Sequence, residues 1–78
     1  MAIIKFMSKG CAPCNAVGSV LDSMGIEYET VDIAEDIEKA IEHQVRSVPT
    51  LLNTETKERL LGFNGIYKTE EWINVHCN

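Results

Sequence analysis

The sequence predicts one small α/β domain, residues 1–78, with a four-stranded mixed sheet flanked by three helices in the order β-α-β-α-β-β-α. Three observations carry this expectation. Short β-branched runs alternate with segments whose apolar residues recur every three or four positions, so the first two strands must run parallel, joined by a right-handed helical crossover. Two further apolar runs flank the polar stretch NTETKE and read as an antiparallel hairpin. A chain of 78 residues leaves no room for a second domain. Its core must also be efficient, because a domain of this size buries only ~60–65% of its unfolded surface.

Residues 2–7, AIIKFM, form an apolar run that stops at Ser8, Lys9 and Gly10, and are expected to form the first strand. From Pro13 the period changes, and Val17, Val20, Leu21 and Met24 line one helical stripe. Pro13 suits a first turn, where a missing N–H costs nothing, and Gly25 suits a left-handed C-terminal cap. Residues 26–33, IEYETVDI, read as an edge strand, its charges discouraging unwanted pairing. Residues 35–45 return to helical spacing through Ile37, Ala40, Ile41 and Val45, with Glu35 and Asp36 at the positive helix end. Residues 49–52 and 59–63 are the hairpin strands. Residues 67–76, YKTEEWINVH, read as a last helix with Thr69 as N-cap, sealed onto the sheet by Trp72 and Ile73 or Val75. Phe6, Tyr28 and Trp72 are expected in the core, and His43 and His76 on the helix surfaces.

Seven basic against twelve acidic side chains give a net charge of −5, which argues against nucleic acid as a partner, since phosphate binding needs a basic stripe. The first apolar run, broken by Lys5, is too short for a signal peptide or a membrane span. A cytoplasmic, monomeric protein without membrane attachment is expected. Three cysteines, an odd and small number, do not fit a secreted disulfide framework.

The chemistry concentrates in KGCAPCNA, where Cys11 and Cys14 are separated by two residues. Cys11 falls where the first strand gives way to the first helix, and the free N–H groups and positive dipole end there favour an anion. Cysteines so placed ionise more readily, from an ordinary ~8.5 down to ~3.5–7.5. Lys9 is a candidate nearby cation, and Pro13 shapes the turn. Cys14, one turn inside the helix, is less exposed and close enough to form a disulfide without unwinding it. This asymmetry makes Cys11 the nucleophile and Cys14 the resolving thiol of a dithiol–disulfide exchange. A purely structural bridge gains little, because so short a loop removes little unfolded-chain entropy. A closed zinc site needs four ligands, and Cys77, His43 and His76 lack the spacing to complete one, so no metal is expected. Asn15 in place of histidine removes haem attachment.

A CxxC pair between a strand and a helix, at the head of this element order, resembles the glutaredoxin and thioredoxin superfamily across nearly the whole chain. It is most similar to the small glutaredoxin-like redoxins. The resemblance implies a thioredoxin fold and thiol–disulfide oxidoreductase activity, with CAPC as the active-site tetrapeptide. SVPTLL, residues 47–52, is similar to the second family signature. It implies a cis bond before Pro49, with Val48 and Pro49 facing the cysteines and Val48 pairing with an extended substrate segment.

Glutathione-using members carry a Gly-Gly pair after the fourth strand, whereas this chain has Gly62-Phe63. A phenylalanine there obstructs a ligand backbone. Gly62-Phe63 is similar instead to the Ser-Gly-Phe segment of NrdH-type redoxins, although Asn64-Gly65 stands where Arg-Pro usually follows. That likeness implies electrons from a flavoprotein thioredoxin reductase, passed to disulfide-containing proteins such as ribonucleotide reductase, with no bound cofactor beyond the Cys11–Cys14 disulfide. The alternative, a glutathione-dependent glutaredoxin, finds support in Arg46, where a cation would meet a glutathione carboxylate. A metal-carrying or adaptor module is the alternative of another class. Lys5 falls nearest the place where full thioredoxins keep a buried acid. It has two readings, a cation that lowers a thiol pKa or a side chain that snorkels to the surface. Cys77 reads as an inert tail thiol or a regulatory one.

Overall fold

The computed structural model describes residues 2–77. Among them the order is β1 (Ile3–Met7), α1 (Ala12–Ser23), β2 (Glu29–Asp32), α2 (Ile37–Glu42), β3 (Thr50–Asn53), β4 (Arg59–Leu61) and α3 (Ile66–His76). The sheet runs β2-β1-β3-β4, with β1 parallel to β2 and antiparallel to β3, and β4 closing the hairpin. The expected mixed sheet and element order are present, and β2 lies at an edge as its charges foretold.

Alternation along β1 sends side chains to two cores. Ile4 and Phe6 join Val31 and Leu52 on one face, with Ile33, Val45 and Val48 packed around them. Leu51, the register partner of Lys5, joins Val17, Val20, Leu21 and Ile73 on the other, beneath α1 and α3. Each fully buried Leu, Ile, Val or Phe contributes roughly 1.5–3 kcal/mol relative to exposure, so these two clusters hold the layers together.

Helix ends follow from local chemistry. Gly25, at φ +70, donates to the Asp22 carbonyl, and Ile26 donates to that of Leu21. This paired closure satisfies carbonyls that the helix leaves free. It also commits the Ile26 N–H to α1, and the second strand runs Glu29–Asp32, shorter than residues 26–33. Gln44 adopts the same left-handed turn at φ 57 and, with Val45 bonded to the Ala40 carbonyl, stops α2 before residue 45.

Three expectations need correction. Helix α2 buries Ala40 but leaves Ile37 58% and Ile41 69% exposed, so it presents no apolar stripe to the sheet. Thr69 is not the N-cap of α3. Gly65 turns the chain at φ 99, and Thr69, fully buried inside the helix, donates its hydroxyl to the Gly65 carbonyl. Trp72 and Ile73 seal this helix, while Val75 faces outward. The histidines are only partly surface residues. His43 packs its ring 5.9 Å from that of Phe6, and His76 lies 4.9 Å from Trp72. Tyr28 is half-buried at the edge of the α1 core, its hydroxyl donating to Asp22 at 2.9 Å.

Candidate active site

Cys11 is the N-cap of α1, in extended conformation, and its sulfur accepts the Cys14 N–H at 3.1 Å. Gly10, at φ +77, makes the turn from strand to helix. Pro13 sits in the first turn, as its sequence position implied. Cys11 and Cys14 form a disulfide with Cα atoms 5.2 Å apart. Cys11 is half-exposed, whereas Cys14 is fully buried among the α1 core residues. One sulfur is therefore reachable from outside and the other is not.

The second expected site element lies at the same end of the sheet, since the start of β3 pairs with the end of β1. The Val48–Pro49 bond is cis, and Pro49 is buried at the entrance to β3. Its carbonyl accepts the Gly62 N–H at 2.9 Å, joining the loop after β4 to the loop before β3. Among the described residues neither the N–H nor the C=O of Val48 has a hydrogen-bond partner. Phe63 turns its ring toward the α1–α3 core and lines an apolar groove of about 300 Å³ with Ala16, Ser19, Val20, Ser23 and Ile66. Gly62, at φ +77, gives the chain the freedom to make this turn.

Two expected residues face solvent. Lys9 is exposed and forms an ion pair with Glu35 at 3.2 Å. Arg46 is exposed and lines a cleft with Ile41, Gln44 and Val45. Cys77, the C-cap of α3, is half-buried against the core, and burial pushes its thiol pKa up. It is therefore a shielded and poorly ionised thiol rather than a loose tail.

A family model described as glutaredoxin matches residues 3–55, which span β1, the cysteine pair and the whole of β3. The chain belongs to the glutaredoxin family. This glutaredoxin is also 36% identical over 67 residues to the SPbeta prophage-derived thioredoxin-like protein YosR of Bacillus subtilis, covering 81% of this chain and 84% of that one. It is 24% identical to thioredoxin of Staphylococcus aureus, over 95% of this chain and 80% of the relative. Among solved structures, a mutant thioredoxin from Halobacterium salinarum superposes with a TM-score of 0.79 at 22% identity, covering 97% of this chain and 74% of that one. Malassezia sympodialis thioredoxin matches with the same TM-score at 23% identity and the same coverage. The fold is thus the thioredoxin fold, and a family CxxC pair joined as a disulfide makes the protein a thiol–disulfide oxidoreductase. Such enzymes exchange electrons with disulfide-containing proteins and with a reductase. No helix among the described residues is long and apolar enough to cross a membrane.

Sequence reasoning did not settle Lys5, which the structure places 8% exposed under α1. The signal was a glycine, Gly18, in the middle of a helix with no turn to make.

Proposed function

We propose that this glutaredoxin is a protein-disulfide reductant of the NrdH or thioredoxin kind, recharged by a flavoprotein reductase rather than by glutathione. The observation that carries this reading is the conformation of Gly62-Phe63. The Gly62 N–H is committed to Pro49, and the residue after it is a phenylalanine whose side chain lines the groove over α1, where glutathione-using members carry a second glycine. Cys11, the half-exposed thiol, attacks one sulfur of the partner disulfide as a thiolate, breaking that S–S bond, forming a mixed disulfide and freeing the partner's other sulfur as a thiolate. Cys14 then attacks the Cys11 sulfur, closing the Cys11–Cys14 bond and releasing the partner as a thiolate that takes a proton from water. The protein partner is reduced by two electrons and the cysteine pair is oxidised by two. The free N–H and C=O of Val48 offer an extended partner segment one rung of β-pairing beside Pro49. No bound cofactor takes part, and the protein works as a monomer in a reducing, cytoplasmic compartment, with ribonucleotide reductase as the substrate implied by the NrdH likeness.

One observation favours the second reading. The Arg46 guanidinium has no partner among the described residues and is free to meet a carboxylate such as glutathione's. NADPH oxidation coupled to a disulfide substrate separates the two, run once with thioredoxin reductase and once with glutathione plus its reductase. Turnover with the first and none with the second is expected. The reverse outcome replaces the first reading with the second, and failure in both discards them together.

A further inference from the structure

Lys5 is a buried cation that needs a reason. It points from β1 to the α1 side of the sheet, is 8% exposed, and has no carboxylate within ion-pair distance among the described residues. Its ammonium lies 5.5 Å from the centre of the Tyr28 ring. Burying most of a lysine beside no counter-charge is costly, and a lysine at a strand position open to solvent would swing outward. Here α1 makes room for it instead. A Cβ on Gly18 would stand 2.7 Å from Lys5 Nζ, so the helix interior carries a glycine, at about 1 kcal/mol of helix propensity, where the ammonium lodges.

Gly18 is four residues after Cys14, and Cβ positions so spaced lie on one helix face about 5–6 Å apart. The ammonium is therefore within about 9 Å of the Cys14 Cβ, on the inner side of the helix where the Cys14 sulfur is buried. We propose that Lys5 is a positioning residue for the resolving step, its ammonium stabilising the Cys14 thiolate as that thiol loses its proton to solvent and attacks the Cys11 sulfur. The charge acts more strongly here than at the open surface because the packed α1 core beside it lowers the local dielectric. It also answers a defect of the site. Burial alone disfavours a thiolate at Cys14, whose N–H already serves Cys11, and Lys5 opposes that penalty. The other titratable groups around Lys5 are Tyr28, before β2, and Asp22, on α1, hydrogen-bonded to each other. Leu51 of β3 and Ile73 of α3 bring no charge, and Cys77 lies at the rim of the same core.

This inference rests on the proposed roles of the two cysteines, and one assay tests each separately. In a Cys77→Ser background, the reduced protein is mixed with 5,5′-dithiobis(2-nitrobenzoate). Cys11 attack releases one thionitrobenzoate, and Cys14 attack on the resulting mixed disulfide releases a second. Cys14→Ser should release one only, and if it releases none the role assignment itself fails. Lys5→Met should slow the second release about fourfold at pH 7, a tenfold loss of thiolate partly offset by greater nucleophilicity of the less acidic thiol. The first release should change less. Above the thiol's titration the difference should vanish or reverse, which a merely structural role would not produce. Gly18→Ala keeps the lysine but displaces its ammonium, and should slow the second release in the same pH-dependent way. It carries the test if Lys5→Met does not fold. A second release unchanged in both variants, or slowed equally at every pH, overturns the inference.

Discussion

The unequal environments of Cys11 and Cys77 make a quantitative prediction about which thiol reacts first. In a Cys14→Ser protein the backbone N–H of residue 14 remains, so the Cys11 sulfur keeps its hydrogen bond and its place at the mouth of α1. A hydrogen bond to a charged acceptor together with the helix dipole favours the thiolate by about 2 kcal/mol, or roughly thirtyfold in ionisation. Thiolate reactivity toward disulfides falls with acidity at a Brønsted slope near 0.45, which returns about a factor of five. Well below either titration, Cys11 should thus react about sixfold faster than an ordinary thiol. Cys77 is displaced in the opposite direction by burial, so its thiolate is scarcer than an ordinary thiol's at the same pH. The assay is timed mixing with cystamine at pH 6, acid quenching and mapping of the adducts by mass spectrometry. Cys11 should carry at least about six adducts for each on Cys77. As pH rises, labelling of Cys11 should level off first, while that of Cys77 continues to climb through the alkaline range. Equal labelling at pH 6, or a Cys11 rate that climbs in parallel with Cys77 throughout, would refute the claim that the helix mouth activates this sulfur.

Further measurements test the frame around the site. Asn53 accepts the N–H groups of Glu55 and Thr56 and donates to the His76 carbonyl, joining the hairpin turn to the end of α3. Asn53→Ala should lose about 2–3 kcal/mol and lower Tm by roughly 10–20 °C in a thermal melt. Ile73→Ala should cost about 2–5 kcal/mol by urea denaturation, whereas Val75→Ala, two residues on and 68% exposed, should stay within about 0.5 kcal/mol. The Tyr28 pKa is raised by desolvation and by Asp22, so the folded state holds that proton more tightly than the unfolded chain. Stability from this source is complete below the tyrosine range and is lost as pH climbs through it. Tyr28→Phe should cost under about 1 kcal/mol at neutral pH. It should also flatten the alkaline decline of stability, and a decline as steep as the parent's would exclude Tyr28 as its source.

What the sequence made legible followed periodicity and punctuation. The α1 stripe, the Gly25 cap, the edge position of β2 and the cysteine pair at a strand–helix junction all rest on local rules, and the structure keeps them. What it hid depended on neighbours distant in the chain. Ile37 and Ile41 have helical spacing, but whether they meet a core depends on where α2 lands, and it lands with only Ala40 against the protein. Thr69 has the composition of an N-cap, yet Gly65 four residues earlier can adopt a backbone angle that starts the helix sooner. Lys5 is a charged residue in an apolar run, and no local rule says that a glycine on a helix packed above will leave space for it.

Helix α2 is held in an unusual way. Few of its own side chains are buried, and its C-terminal end is tied down by the guanidinium of Arg59, which reaches from β4 to the carbonyls of His43 at 2.7 Å and Gln44 at 3.4 Å. A further polar tie is the ion pair of Lys39 with Glu29 at 2.8 Å. Polar ties of this kind add to the packing of Ala40, His43 and Val45, and the exposed part of them is weakened by salt. The chain leaving α2 runs straight into Val48 and Pro49. In the proposed docking mode, the readiness of the Val48 rung would answer to an arginine on the far edge strand, a remote hinge pin well away from the sulfur atoms.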